Sequence, residues 1–286
     1  MRPSDAKIWL ARAQDLSGLS RALLRLQRLA FHPHARVVNY HTAHAAHMAN
    51  FEAQVVWYAR NFVSMDLAGL LELQRGVWPH PRPGLIVSFD DGLREPYDHA
   101  VRILEKYGFR AWFFVPTAFV DTPPAEQGAF AAEHQIAMPA PADDPRIALT
   151  WGEIRDLDRR GHVIGSHTCT HHRMVSSTPV ETMRREVFES KRILEEQLGH
   201  EVPVFCWVGG EEETYSAEAA RAILEAGYRM AFQTNSFVIR PGANLLQLQR
   251  TNIEASNPLS LVRFQLSGFM DAFATGKRRR VVELTA

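Results

Sequence analysis

Cysteine is scarce. Two thiols in 286 residues, Cys169 and Cys206, provide no disulfide framework, and two buried thiols are expected rather than one bridge. Net charge is also lacking: 32 basic residues stand against 32 acidic ones, which removes any global electrostatic case for nucleic acid. No apolar run reaches membrane-spanning length. Between Met1 and His34 there is no uninterrupted apolar core and no small-residue cleavage site. No leader is read there, and a cytoplasmic location is expected. Leu16, Leu19, Leu23, Leu24, Leu26 and Leu29, broken by Arg21, Arg25 and Arg28, predict instead an amphipathic helix with a basic face. The plain reading packs it on the domain; the sharper one sets it against an anionic membrane surface. The short basic cluster Gly276-Lys277-Arg278-Arg279-Arg280 is read as a solvated tail over 271–286.

What the chain does have is 46% hydrophobic residues, enough for a sizeable core, and a repeated plan. Helices expected near 97–107, 153–160, 179–198 and 217–226 each end at a glycine and lead into an apolar strand, at 111–115, Val163-Ile164, 202–207 and 229–233. Thr150-x-x-Glu153 and Thr178-Pro179-x-Glu181 read as capping boxes. Alternating helix and strand implies parallel pairing with right-handed crossovers. About eight such strands favour an α/β fold closed as a distorted (β/α) barrel over an open sheet. The Pro- and Ala-rich stretch 121–149 interrupts the plan with Pro123, Pro124, Pro139, Pro141 and Pro145, and is read as a lid or substrate wall.

Two motifs sit at strand ends. Ile86-Val87-Ser88-Phe89-Asp90-Asp91-Gly92 is a buried apolar run that stops in two carboxylates and a turn-forming glycine. Ile164-Gly165-Ser166-His167-Thr168-Cys169-Thr170-His171-His172 offers two histidines four apart, a spacing that lets them converge on one ion. Zinc suits neutral imidazole nitrogens, and an Asp from elsewhere would complete a three-ligand set with an open position for water.

Ser-Phe-Asp-Asp-Gly at 88–92 and Ser-His-Thr-Cys-Thr-His at 166–171 resemble the first two motifs of the polysaccharide deacetylases, carbohydrate esterases with a NodB-type domain. The likeness runs from about Asn39 to about Arg250. It implies a NodB-like distorted barrel of about seven or eight strands over 35–270. By the same resemblance, Asp90 is the catalytic base, and Asp91, His167 and His171 bind one divalent ion, zinc by preference. Tyr40-His41 resembles the family's opening Tyr-His, so both are expected to line the pocket. A saccharide is the implied substrate, its N-acetyl or similar acyl group removed by hydrolysis. A nucleotide-linked or lipid-linked sugar or a glycan precursor would fit, and the oligomeric state is left open. In that chemistry a metal lowers the pKa of water and a carboxylate takes its proton.

The chain also departs from the family. Many members carry an Arg-x-Pro third motif whose Arg steadies the catalytic carboxylate, whereas the corresponding strand end here is Phe205-Cys206-Trp207-Val208-Gly209-Gly210. A late Leu-x-x-His, the usual general acid, is replaced by Leu248-Gln249-Arg250-Thr251-Asn252-Ile253. His41 is left as the candidate acid, Trp207 as a sugar-stacking ring and Gly209 as the residue keeping the turn. Glu211, Glu212 and Glu213 read as a solvated acidic run on the rim. The alternatives are hydrolysis of a non-sugar amide or cyclic imide, or an inactive glycan-binding domain, which the missing third motif would suit.

Overall fold

The computed structural model describes residues 5–138 and 146–286. Its strands are β1 (Ala35–Tyr40), β2 (Val63–Ser64), β3 (Gly84–Phe89), β4 (Ala111–Val115), β5 (Val163–Ser166), β6 (Val204–Cys206), β7 (Met230–Gln233), β8 (Leu248–Gln249) and β9 (Thr251–Asn252). The ladders between them are parallel, in the order β8-β7-β6-β5-β4-β3-β1-β9, with β2 also on β3. Only Arg250 separates β8 from β9. The two are halves of one strand, the first paired with β7 and the second with β1, and they close the sheet into a barrel. Seven strands make the circuit and β2 adds an eighth outside it, as the alternation of helix and strand implied.

The helices are α1 (Asp5–Leu16), α2 (Leu19–Phe31), α3 (Met48–Asn61), α4 (Leu67–Gln74), α5 (Val101–Lys106), α6 (Thr117–Asp121), α7 (Pro124–Glu133), α8 (Trp151–Arg159), α9 (Val180–Leu198), α10 (Ala217–Glu225), α11 (Leu259–Leu266) and α12 (Thr275–Leu284). Thr150 and Glu153 form the expected capping box at α8. The second one does not form. Pro179 is the N-cap of α9, and the Thr178 hydroxyl turns back to the Arg173 carbonyl at 3.4 Å. The N-terminal stretch folds as two helices, because Gly18 adopts a left-handed φ of 77° between them.

Strand parity sorts the core into two layers. Val37, Ile86, Trp112, Phe114, Val204, Phe232 and Leu248 fill the barrel, while Val38, Leu85, Val87 and Phe113 face outward to the helices. Two residues further along, the inward positions become Asn39, Ser88, Cys206 and Arg250, and then Asp90. A polar layer therefore caps an apolar one at the carboxyl end of the strands, where parallel barrels carry their chemistry.

The C-terminal segment is not a solvated tail. In α12, Val281 is fully buried, Lys277 donates to the Gly210 carbonyl, and Arg280 pairs with Glu212 at 2.8 Å. The acidic run on the rim is accordingly part-neutralised, with Glu211 lying 3.7 Å from Arg173 as well. Of the 121–149 insertion, α7 is helical; Pro139, Pro141 and Pro145 lie outside the described residues.

Candidate metal centre and active site

Asp90 and Asp91 follow β3 directly. The backbone at Asp91 takes a left-handed φ of 70° and at Gly92 of 63°, which turns the chain and separates the two carboxylates. The histidine loop is bent the same way at Thr168 (φ 66°) and His171 (φ 59°). Non-glycine residues held there are strained, and such strain gathers at functional sites. The histidine loop is fixed from beneath by buried Glu186 of α9. Its carboxylate accepts from the amides of Cys169 (3.0 Å) and Thr170 (2.7 Å) and from the Thr170 hydroxyl (2.9 Å).

These turns bring Asp91, His167 and His171 together, with their ligand atoms within 4.8 Å of one another and all three side chains buried. His171 Nε2 lies 3.2 Å from Asp91 Oδ1, and His167 Nε2 lies 3.7 Å from it. Each imidazole faces a backbone carbonyl through Nδ1: His167 that of Cys206 at 3.0 Å, and His171 that of His134 at 2.7 Å. A carbonyl only accepts, so each Nδ1 carries the proton and each Nε2 lone pair is left facing the cluster. That is the tautomer and orientation metal-ligating histidines take. Burial pushes His167 down to about 4 and keeps it neutral, despite the pull of Asp90. Burial would lower His171 and raise Asp91, but with no ion bound Asp91 draws a second proton onto His171 and raises its pKa, and that imidazolium in turn holds Asp91 well below the carboxylate range. A dry N₂O donor set, with its outer hydrogen bonds in place, fits a divalent ion such as zinc. A second candidate group, Asp90, His167 and Cys206, also converges. There, however, the Arg250 guanidinium already neutralises Asp90.

The insertion belongs to this centre. His134, just after α7, supplies the carbonyl for His171, and the Ala137 amide donates to Asp91 Oδ2 at 3.2 Å. Its described part thus hydrogen-bonds two of the three converging residues.

Asp90 has different company. Arg250 grips it with both nitrogens of its fork, Nη1 to Oδ1 at 2.7 Å and Nη2 to Oδ2 at 2.9 Å. Asn39 Nδ2 donates to Oδ2 at 3.0 Å, while Asn39 Oδ1 accepts from Arg250 at 3.0 Å. Burial would raise the Asp90 carboxyl; the guanidinium and the nearby imidazoles keep it ionised. The family's third motif is missing from the β6 end, yet a guanidinium reaches the first carboxylate. It arrives from the strand that closes the barrel. Sequence reasoning singled out Arg250 as a departure without giving it this partner. The available signal was parity, since Leu248 is an inward position and Arg250 is therefore the next.

Tyr40 and Trp207 need correction. Tyr40 follows inward Asn39, so it points outward and is fully buried, its hydroxyl 2.7 Å from Gln54 and 2.6 Å from Tyr58. Trp207 follows inward Cys206 and packs against Phe205 and Tyr215 at 1% exposure. Both are core residues, and neither ring is available to a sugar. Gly209 stands on the rim with φ 86°, where a Cβ would meet Thr214 at 2.9 Å. His41 lies beside the two carboxylates, its side chain 30% exposed, with Nδ1 3.7 Å from Glu254. Burial lowers its pKa, but Glu254, Asp91 and Asp90 outweigh this and push it up to about 9. Cys169 and Cys206 are both free thiols, and Cys206 Sγ lies 4.0 Å from Asp90.

The closed parallel barrel is a fold that solved deacetylases share. Streptococcus pyogenes deacetylase PplD in complex with acetate aligns with a TM-score of 0.65 at 16% identity, covering 81% of this chain and 97% of that one. IcaB from Ammonifex degensii aligns with a TM-score of 0.61 at 18% identity, covering 84% and 97%. The sequence profile described as polysaccharide deacetylase matches residues 79–231, just over half of the chain, and the chain belongs to that family. Poly-beta-1,6-N-acetyl-D-glucosamine N-deacetylase of Escherichia coli (strain K12) is 28% identical over 121 residues, 42% of this chain and 17% of that protein. The putative polysaccharide deacetylase YxkH of Bacillus subtilis (strain 168) is 21% identical over 169 residues, 59% of this chain and 51% of that protein. The matches thus span about half or less of these curated relatives. Among the described residues no helix is long and apolar enough to cross a membrane.

Proposed function

We infer that this chain is a metal-dependent N-deacetylase acting on N-acetylhexosamine units of a glycan. The observation that carries the reading is the pairing of two unlike sites. Asp91, His167 and His171 converge with both Nδ1 atoms occupied, and beside them an ionised Asp90 is gripped by Arg250. Asp91, His167 and His171 would hold a zinc ion, which would supply Lewis-acid activation of water and carbonyl.

Asp90 is then the base. Arg250 and Asn39 fix its carboxylate in one orientation, and it accepts the proton of the water that attacks the amide carbon. His41 is the acid. Its Nδ1 faces Glu254, which leaves Nε2 to deliver a proton to the departing amine nitrogen. The C–N bond breaks, acetate leaves, and the sugar keeps a free amine. Arg250 does for Asp90 what the family's third-motif arginine does elsewhere, which weighs against an inactive domain.

The E. coli relative is named for a β-1,6-linked N-acetylglucosamine polymer, so oligomers of that linkage are the first substrate to test. Acetate release from them by zinc-loaded protein, lost in Asp91→Asn, is the expected result. Protein carrying one ion per chain that releases no acetate from β-1,6- or β-1,4-linked N-acetylglucosamine oligomers would overturn the reading.

A further inference from the structure

Helix α2 carries apolar residues on two faces. It turns Ser20 (0% exposed), Gln27 (7%) and part-buried Leu24 toward the protein and leaves Leu26 (59%) and Leu29 (82%) in the open. A surface helix of a water-soluble fold ordinarily keeps its large apolar residues on the buried face. The orientation is fixed by polar contacts beneath the helix. Gln27 Oε1 accepts from Arg36 at 3.2 Å, Arg36 pairs with Asp271 at 2.6 Å, and Gln14 Nε2 reaches the Ser20 hydroxyl at 3.3 Å. Rolling the helix to bury its leucines would break these buried bonds, so the open apolar stripe is a stable property of the fold.

Neighbouring elements add further exposed apolar residues. Leu16 is 90% exposed and Trp9 71% on α1, and Phe273 is 72% exposed just beyond the Gly268–Asp271 turn that packs on Gln27. Exposed large apolar side chains concentrated on two adjoining helices mark an interaction site. Along α2, Arg21, Arg25 and Arg28 run beside the leucines, and residues 19–31 contain no acid. The nearby Asp15 is taken by Arg263 at 2.8 Å.

From this juxtaposition we propose that α1 and α2 form a docking face for an anionic lipid bilayer. Leucines and Trp9 would enter the acyl boundary while the flanking arginines meet lipid phosphates. A second copy of the chain fits less well, because a two-fold contact would set the arginine row against its own image with no carboxylate between. The face lies under the amino ends of the strands, as the contacts to Arg36 near the start of β1 show, so the candidate active site opens on the opposite pole. Bilayer-bound protein thus reaches glycan held away from the surface rather than a sugar at the lipid headgroups. The docking proposal does not depend on the reaction.

Co-sedimentation of the full chain with vesicles tests it. The chain binds vesicles of phosphatidylcholine mixed with phosphatidylglycerol and releases at high salt. Arg21→Gln/Arg25→Gln weakens that binding by about fivefold per arginine, and Leu26→Glu/Leu29→Glu abolishes it, with unchanged thermal midpoints in both variants. Failure of the unaltered chain to bind mixed vesicles, or leucine-variant binding equal to that of the unaltered chain, overturns the proposal. A dimer in sedimentation equilibrium that Leu26→Glu/Leu29→Glu splits, without vesicle binding, assigns the face to a second copy instead.

Discussion

Asp90 and Asp91 are adjacent in the chain and identical in side chain, yet their surroundings are opposite. Asp90 is saturated by a cation: both oxygens lie on Arg250 and one also on Asn39. Asp91 has two neutral-capable imidazoles and a single amide from the insertion. A buried carboxylate needs a compensating charge. For Asp90 a guanidinium supplies it, and for Asp91 only titratable imidazoles do, in an arrangement that could take a metal ion instead. One turn, with Asp91 at φ 70°, thereby gives two equal groups different surroundings, which suit the proposed roles of base and ligand.

The difference can be broken from either side. The largest effect is expected from Asp91→Asn, which removes the charged ligand. Zinc affinity falls beyond detection and acetate release drops about a thousandfold or more, the scale of losing a Lewis acid worth several kcal/mol. Zinc titration and acetate assays read this together, and turnover in metal-free Asp91→Asn would refute it.

Next comes the Asp90–Arg250 pair, which is buried at both ends. Asp90→Asn or Arg250→Met alone leaves one uncompensated charge or an orphaned partner and costs about 3–5 kcal/mol. The double variant loses less than the sum of the two. Thermal unfolding of the four proteins measures the coupling, and additive losses would mean the two side chains do not act as a unit. Asn39→Ala is milder, at about 1–3 kcal/mol, because it leaves the guanidinium and carboxylate paired but strips one bond from each.

The smallest effect is on pH. His41 is raised to about 9, above its ordinary 6.5, so its acid form persists below pH 9 and is lost above it. The stabilisation from its pairing with Glu254 is full below the unfolded value and fades as pH rises through 9. Glu254→Gln lowers the His41 pKa, so the alkaline limb of kcat against pH moves to lower pH. A limb that stays in place would remove His41 from the acid role.

The convergence of Asp91, His167 and His171 was legible because each piece is local. Asp-Asp-Gly after an apolar strand, and His-x-x-x-His after the next strand but one, are short segments whose spacing carries their geometry. The Arg250 contact was not, because Arg250, Asn39 and Asp90 lie on strands brought side by side only when the barrel closes through 248–252. Tyr40 and Trp207 were misplaced for a related reason. Lying at a strand end puts a residue at the right height, but parity decides its face, and both fall on the outward positions. The C-terminal helix reads as solvated from sequence because basic residues dominate it. Its anchoring rests on Val281 and on two ion-dipole and ion-pair contacts to the 209–214 loop, which no local pattern announces.

The most direct test counts zinc ions per chain in the unaltered protein, Asp91→Asn and Arg250→Lys. One ion is predicted in the unaltered protein and in Arg250→Lys, whose acetate release is nonetheless reduced, and none in Asp91→Asn. An Asp91→Asn protein that keeps a full zinc equivalent at unaltered affinity would contradict the division of labour between the two carboxylates.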